Sequence, residues 1–265
     1  MWWQLPTLLS LDAPLVALVW QMLLARATPT PLPWQAPVLL FASVWLVYVV
    51  DRCLDARKLT LHRAATPRHR FYVRHHRWFS WLAGGVFVVC VAVSVTLEPR
   101  LLLIGTSVAL LTGLYLAFVH FSDAKQPIPK ELQIALVFSL GVHVALSAWH
   151  IPYLLSGLLF ALLCFLNCAF IAFWERTADT QQAQRSLARS HPTSRPLLHA
   201  LALALIGISG LSALVLSNLL TIWTCLALSG ALLLLLEQRR HHLPTSLLRV
   251  LADAVLLTPC LFLFW

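Results

Sequence analysis

Long apolar segments, most of them close to twenty residues, are the feature that most constrains the fold of this chain. They recur along nearly its full length, at about 7–25, 35–54, 78–97, 100–120, 131–149, 152–174, 198–217, 219–236 and 243–264. A helix needs about 20 mostly apolar residues to cross the hydrocarbon core of a bilayer, and the alternating pattern of a membrane β-strand is absent. The sequence therefore predicts an all-α integral membrane protein with nine transmembrane helices.

Composition supports a single transmembrane domain that covers residues 1–265. Apolar residues make up 60% of the chain and charged residues only 11%, which excludes a soluble globular domain of this length. The N-terminus lacks the basic residues and the cleavage site of a secretory signal, so we expect the first apolar segment to remain as a helix. The six cysteines lie in or beside apolar segments without a Cys-x-x-Cys pair, and we expect neither disulfides nor zinc.

Orientation follows from the basic residues, because loops rich in Lys and Arg resist translocation. Sixteen of the 19 Lys and Arg residues lie on one side of the predicted topology, and only Arg26 and Arg100 on the other. This bias predicts a multi-pass protein of the cell (inner) membrane, with the N-terminus in the cytoplasm and the C-terminus outside. The basic connections 56–77 and 175–197 would both be cytoplasmic loops over one cavity. The net charge of +9 thus reflects topology and does not indicate nucleic-acid binding.

An acidic pattern recurs at the cytoplasmic ends of the second and sixth predicted helices. The first copy reads Asp51-Arg52-Cys53-Leu54-Asp55, and the second, 124 positions later, reads Glu175-Arg176-Thr177-Ala178-Asp179. Four helices separate the copies, so the two halves would have the same orientation, related by an axis along the membrane normal. We therefore expect two pseudo-repeated four-helix halves followed by a ninth helix.

Each copy places two carboxylates four residues apart, on one face of a helix. Such a pair has two interpretations. Acidic helix ends facing water are common, and the neighbouring Arg52 and Arg176 could neutralise them. Alternatively, two facing carboxylate pairs suit Mg²⁺, which binds a few carboxylates together with substrate phosphate oxygens. Four of only ten carboxylates in the chain form this repeated pattern, which favours the second interpretation.

These residues resemble the UbiA superfamily of intramembrane prenyltransferases, which has nine helices and aspartate-rich motifs on helices two and six. The nearest resemblance is to a divergent bacterial branch, and it covers nearly the whole chain. Asp51 and Asp55 match the last two acids of the first motif, Asn-Asp-x-x-Asp-x-x-x-Asp, whose opening Asn-Asp is replaced here by Val47-Tyr48. The second motif would consist of Glu175 and Asp179, and the family's next cytoplasmic loop resembles Leu114-Tyr115 followed by Lys125, Lys130 and Glu131.

The resemblance implies transfer of an isoprenoid group from a prenyl diphosphate to an aromatic or other lipophilic acceptor. Mg²⁺ would be held by four catalytic carboxylates, Asp51, Asp55, Glu175 and Asp179. The expected substrate-binding residues are Tyr48, Arg52, Arg68, Arg70, Lys125, Lys130, Asn167 and Arg176. For two of these groups the alternatives stay open. The basic stretch 68–77 could bind phosphate or rest on anionic lipid headgroups, and Asn167 could line the cavity or bond a neighbouring helix.

Two other classes of function compete with the enzyme. In a transporter the repeated carboxylates would bind an ion or solute, but such sites lie near the bilayer midplane beside broken helices, whereas these carboxylates lie at helix ends. A UbiA-like fold that has lost catalysis would also fit the missing Asn-Asp. Within the last apolar segment, Arg249 and Asp253 lie four apart, near enough to pair. Such charges could mark a functional site or only fasten the ninth helix to the bundle, and we favour the second interpretation.

Overall fold

The computed structural model describes residues 2–28, 31–58, 67–121, 128–146, 150–181 and 186–263, and every regular element in those ranges is helical. Nine of the helices have ten or more residues. They are α1 (Asp12–Arg26), α2 (Gln35–Lys58), α3 (Pro67–Ser94), α4 (Pro99–Phe121), α5 (Lys130–His143), α6 (Ile151–Trp174), α7 (Arg195–Val215), α8 (Leu220–Gln238) and α9 (Thr245–Ala254). Short helices lie at Leu5–Leu8, Arg176–Gln181, Leu187–Ser190 and Cys260–Leu263.

Among the described residues, seven helices are long and apolar enough to cross a membrane, which agrees with the predicted all-α membrane class. The seventh continues from α9 to Leu263. The two predicted segments that do not qualify are α1, with 15 residues, and α5, with 14. At 1.5 Å per residue they are about 21 to 23 Å long, which is less than the roughly 30 Å hydrocarbon core. Of the nine predicted spans, seven therefore correspond to helices that are long and apolar enough to cross a membrane.

Proline marks where several of these helices begin. Pro67 and Pro99 are the first residues of α3 and α4, and α6 and α7 each carry a proline in their first two positions. Proline is suited to the first turn, because its fixed φ matches the helix and the amide hydrogen that it lacks would have no helical partner there.

The two predicted cytoplasmic loops are largely helical. Residues 67–77 form the first turns of α3 and residues 56–58 the last turn of α2, while 59–66 lie outside the described residues. The basic stretch 68–77 is thus continuous with a membrane helix, since its aromatic residues can pack on α2 while its arginines remain at the rim. Segment 175–197 contains two short helices and the start of α7 at Arg195.

The protein core surrounds α6. Within its most apolar stretch 56% of α6 is buried by other helices, against 6% for α3 and for α4. Trp20 of α1 packs on Phe160 of α6 with ring centroids 4.6 Å apart, and its indole nitrogen donates to the carbonyl oxygen of Leu256 at 2.8 Å. A smaller cluster joins α2 to α3 around Trp45, Val49 and Tyr72. Helices α3 and α4 therefore leave most of their apolar surface for lipid.

Candidate functional site

The described residues of the two acidic patterns and their ion-pair partners lie at one end of the helix bundle, which we call the charged end. Here the last residues of α2 contact the end of α4, and the residues around the end of α6 contact the start of α9. The end of α8 likewise contacts the start of α7, through Glu237 and Arg195. At the opposite end, Arg26 of α1 donates to the carbonyl oxygens of Phe262 and Leu263. Both predicted carboxylate pairs belong to the charged end.

The first pair, Asp51 and Asp55, shares one histidine ring. His120 of α4 lies with Nε2 2.9 Å from Asp51 Oδ1 and Nδ1 3.9 Å from Asp55 Oδ1. The histidine side chain is only 3% exposed, whereas those of Asp51 and Asp55 are 43% and 32% exposed. Lys130, at the start of α5, is close enough for its charge to act on both carboxylates. The pair therefore faces open space beside two potentially cationic groups.

His120 was not among the residues that the sequence analysis selected. A signal for it exists, because the residue stands at the end of the fourth apolar segment, on the side predicted for the carboxylates. Sequence spacing alone does not show that α4 ends beside α2.

The second predicted pair does not lie on one helix face. Helix α6 ends at Trp174, Glu175 is its non-helical C-cap, and a new short helix begins at Arg176. Glu175 Oε2 accepts a hydrogen bond from Nη1 of Arg249 at 2.5 Å, and the two side chains are 14% and 18% exposed. Asp179 is part of the short helix, and its side chain lies outside the described part of the chain. The pairing of Arg249 with Asp253 that their spacing allows gives way to an ion pair that joins α9 to α6.

Glu175 remains ionised at neutral pH. Burial opposes its charge, but the guanidinium of Arg249, followed by that of Arg68, outweighs burial and holds the pKa of Glu175 below its usual range. Because this pKa is lower in the folded protein, the ion pair stabilises the fold above the unfolded-state pKa of about 4.3. That contribution is lost only as the pH falls through the lower, folded-state value.

A cavity of about 390 Å³ opens beside Glu175. Its walls come from the N-terminal segment, the start of α3, the end of α6 with the following turn, and the start of α9. Arg68 and Arg249 both line it, together with the hydroxyls of Thr177, Thr245 and Ser246. The guanidinium of Arg68 has no hydrogen-bond acceptor among the described residues, and Nε of Arg249 is buried without one. Two guanidiniums therefore line the cavity, which suits an anion.

Arg68 also connects this cavity to the first carboxylate pair. Its charge is close enough to act on Asp55 as well as on Glu175. The arginine belongs to the first turn of α3, and α3 packs along α2, which carries Asp55. An anion bound by Arg68 would thus lie between the two carboxylate positions.

Arg52 and Tyr48 make contacts with other parts of the protein. Arg52 is 7% exposed, and its Nη1 donates to the carbonyl oxygen of Thr7 and to Oγ of Ser10, at 2.5 and 2.6 Å. Its guanidinium carbon lies 5.6 Å from the ring centroid of Tyr48 and 5.7 Å from that of Tyr72. These contacts tie the N-terminal segment to α2 and α3, so both residues have structural contacts in this arrangement, and their predicted substrate contacts stay predictions.

The remaining predicted substrate-binding residues are divided. Arg70 and Arg176 are exposed, and Lys125 lies outside the described residues. Asn167 is 4% exposed, and its Nδ2 donates to the carbonyl oxygen of Ala252 at 3.2 Å. Of the two roles left open for Asn167, bonding a neighbouring helix is the one observed, and this bond holds α9 next to α6.

A buried carboxylate that the sequence analysis did not single out stands next to the cavity. Glu237 at the end of α8 has no exposed surface, and its Oε1 lies 2.7 Å from Nε of Arg195 and 3.1 Å from Nη1 of Arg240. Its Oε2 accepts a 2.6 Å hydrogen bond from the indole of Trp174, a residue that lines the cavity. Glu237 therefore positions one cavity wall.

The predicted Mg²⁺ shell of four carboxylates fits this arrangement only in its first half. Asp51 and Asp55 form a partly exposed pair, and Mg²⁺ is commonly held by one or two carboxylates plus substrate phosphates. One carboxylate oxygen of Glu175 instead accepts a hydrogen bond from Arg249. Among the described residues, no group of three or more His, Cys, Asp or Glu side chains is placed to hold a metal ion.

Comparison of the chain with known protein families, with curated proteins and with solved structures found no match of any of the three kinds.

Proposed function

We propose that this protein is an intramembrane prenyltransferase of UbiA-like type, which transfers an isoprenoid group from a prenyl diphosphate to an aromatic or other lipophilic acceptor. The observation that carries the proposal is the cavity at the charged end, where the guanidiniums of Arg68 and Arg249 line the wall beside Glu175. A cavity with two guanidiniums at the rim of a lipid-facing bundle suits a substrate with an anionic head and an apolar tail. The family resemblance of the repeated acidic patterns supports the same reaction.

Arg68 and Arg249 would bind the diphosphate, and the hydroxyls of Thr245 and Ser246 would donate to its oxygens. Asp51 and Asp55 are the residues that would hold Mg²⁺, with Lys130 adding positive charge nearby. When bound there, the ion would neutralise the diphosphate and make it a better leaving group.

In the proposed reaction, the positive charge of the site stabilises the leaving diphosphate. The bond between the allylic carbon and the diphosphate oxygen breaks, and the diphosphate keeps the bonding electrons while the guanidiniums stabilise its added charge. The allylic cation is attacked by the acceptor, which forms the new bond and afterwards loses a proton. The apolar tail would lie against the lipid-facing surfaces of α3 and α4, which the other helices leave largely uncovered.

The architecture is part of the proposal. We infer that α1 and α5 also connect opposite ends of the bundle despite their length, which would give nine crossings in two four-helix halves followed by α9. The strong basic bias of the charged end supports a cytoplasmic location for it and for the N-terminus, in the cell (inner) membrane.

A UbiA-like fold without catalysis is the second candidate, because Glu175 is paired with Arg249 and the opening Asn-Asp of the first motif is replaced by Val47-Tyr48. Such a protein would bind a prenyl diphosphate without turnover. A transporter is less well supported, since the charged groups of this site collect at helix ends.

Binding of radiolabelled geranylgeranyl diphosphate to the detergent-purified chain tests the proposal. We expect saturable binding that Mg²⁺ strengthens and that Arg68→Gln weakens by about tenfold or more, because a charge-assisted contact to phosphate is lost. The Asp51→Asn, Asp55→Asn double variant should bind without a response to Mg²⁺.

Arg100→Gln is the matched control. It removes the same charge from the exposed start of α4, at the end of the bundle away from the cavity. If no prenyl diphosphate binds, or if Arg68→Gln and Arg100→Gln weaken binding equally, the proposal is wrong.

A further inference from the structure

The Glu175–Arg249 pair occupies the position that a phosphate group would take on Arg249. The carboxylate sits 2.5 Å from Nη1, and both side chains are more than four-fifths buried at the cavity wall. Phosphate and carboxylate oxygens compete for the same donors of a guanidinium. A phosphate oxygen that takes this position on Nη1 therefore competes with the carboxylate of Glu175.

The charges of the cavity are incompletely balanced by this internal pair. Glu175 neutralises one guanidinium, whereas Arg68, on the same cavity, has no hydrogen-bond acceptor among the described residues. Among the described residues that line the cavity, two guanidiniums thus face a single carboxylate. A singly charged anion could satisfy Arg68 alone, whereas an anion with two phosphate groups could also take over Arg249.

We propose that Glu175 is a resident counter-anion of the substrate site, which a diphosphate displaces from Arg249, and that this competition selects diphosphates over smaller anions. The inference rests on the proposed function for the identity of the diphosphate. It replaces the metal-ligand role predicted for Glu175, because a carboxylate held by an arginine is a poor partner for Mg²⁺.

The position of Glu175 in the chain suits such a displacement. It is the C-cap of α6 and lies directly before the short helix Arg176–Gln181, so its side chain is not enclosed within a continuous helix. Its backbone amide donates to the carbonyl oxygen of Ile171 at 2.9 Å, which keeps the main chain in place while the carboxylate rotates away. Asn167 independently fixes α9 through Ala252, so Arg249 stays at the cavity when its partner leaves.

Binding of inorganic pyrophosphate to the purified full-length protein, measured by calorimetry without Mg²⁺, tests the inference. We expect Glu175→Gln to bind pyrophosphate about tenfold more tightly than the wild type, because the competing negative charge is gone. Orthophosphate should gain more than pyrophosphate does, so that the preference for pyrophosphate falls. If Glu175 is a metal ligand, the same variant loses Mg²⁺-dependent pyrophosphate binding and shows no gain without the ion, which would overturn the inference.

Glu98→Gln is the control for the change of net charge, because Glu98 is exposed in the connection between α3 and α4, at the opposite end. It should leave pyrophosphate affinity unchanged. Glu175→Asp is a second variant for the case that Glu175→Gln does not fold, because it keeps the charge but shortens the side chain. It should bind pyrophosphate more tightly than the wild type, by a smaller factor than Glu175→Gln. Weaker binding by Glu175→Asp, or an equal gain in Glu98→Gln, contradicts the inference.

Geranylgeranyl diphosphate binding measured in parallel separates the two proposals. If the wild type binds this lipid and Glu175→Gln gains no affinity for pyrophosphate, the inference fails and the proposed function stands. If Glu175→Gln gains affinity for pyrophosphate and no prenyl diphosphate binds, Glu175 is a counter-anion at a site for another diphosphate and the proposed function fails.

Discussion

At the scale of single residues, the charged end contains carboxylates with opposite surroundings. Glu237 has no exposed surface and is bound by two arginines and an indole, whereas Asp51 and Asp55 remain partly open beside one histidine. A carboxylate that is fully buried and bound by protein donors stabilises the structure, whereas a partly exposed carboxylate can be reached by a ligand. The exposure of Asp51 and Asp55 therefore supports the proposed role of this pair in holding Mg²⁺.

We expect Glu237→Gln to lower the free energy of unfolding by about 2 to 3 kcal/mol, because two arginines lose their counter-charge. The loss is smaller than for a fully buried pair, since Arg195 and Arg240 are 29% and 26% exposed and can regain water. Titration of the purified protein with SDS in mixed micelles measures the change. Glu98→Gln is the control, and an equal effect in both variants would contradict this role of Glu237.

At the scale of elements, α7 and α8 illustrate packing that depends on a missing side chain. A Cβ atom at Gly230 of α8 would lie 3.2 Å from side-chain carbons of both Leu205 and Ile206 on α7. A Cβ atom at Gly207 of α7 would meet nothing within 4 Å. Gly230 therefore allows the close approach of the two helices, and Gly207 lies on an open face.

Gly230→Leu should destabilise the protein by about 1 to 3 kcal/mol, because a larger side chain forces α7 and α8 apart. Gly207→Leu adds the same side chain where space is open, and it should change stability by less than about 0.5 kcal/mol. SDS titration of both variants measures the difference. Equal stabilities would show that α7 and α8 do not depend on this contact.

The sequence predicts the positions of the helices better than the contacts between their side chains. The apolar segment 152–174 corresponds closely to α6, because a run of apolar residues ends where polar residues begin. Helix α3 begins at Pro67, eleven residues before its predicted start. The basic residues that precede its apolar stretch are also helical, and hydrophobicity alone does not reveal them. The shared position of Asp51 and Asp55 follows from their spacing, whereas the pairing of Glu175 with Arg249, 74 positions away, depends on which helices become neighbours.

At the scale of the whole molecule, the number of crossings depends on the two shorter helices. Helix α4 ends at the charged end, where His120 meets Asp51, and α6 also ends there, at Glu175. Since α6 therefore begins at the opposite end, we propose that α5 carries the chain from one end to the other. Its Ser139 donates to the carbonyl oxygen of Gly157 in α6 at 2.8 Å, which places the two helices side by side. A length of about 21 Å can suffice if the bilayer thins locally around α5 or if adjoining residues extend it.

This argument predicts the side of the membrane on which three exposed connections lie. Single cysteines would replace Glu98, His150 and His241 in a background without the six native cysteines. In intact cells, a membrane-impermeant maleimide should label position 98 and position 150, both at the end opposite the charged end, and should reach position 241 only after permeabilisation. If α5 did not cross, position 150 would share the side of position 241 and stay unlabelled in intact cells. Labelling of position 241 alone would instead place the charged end outside, where the basic residues of this chain would oppose the usual orientation.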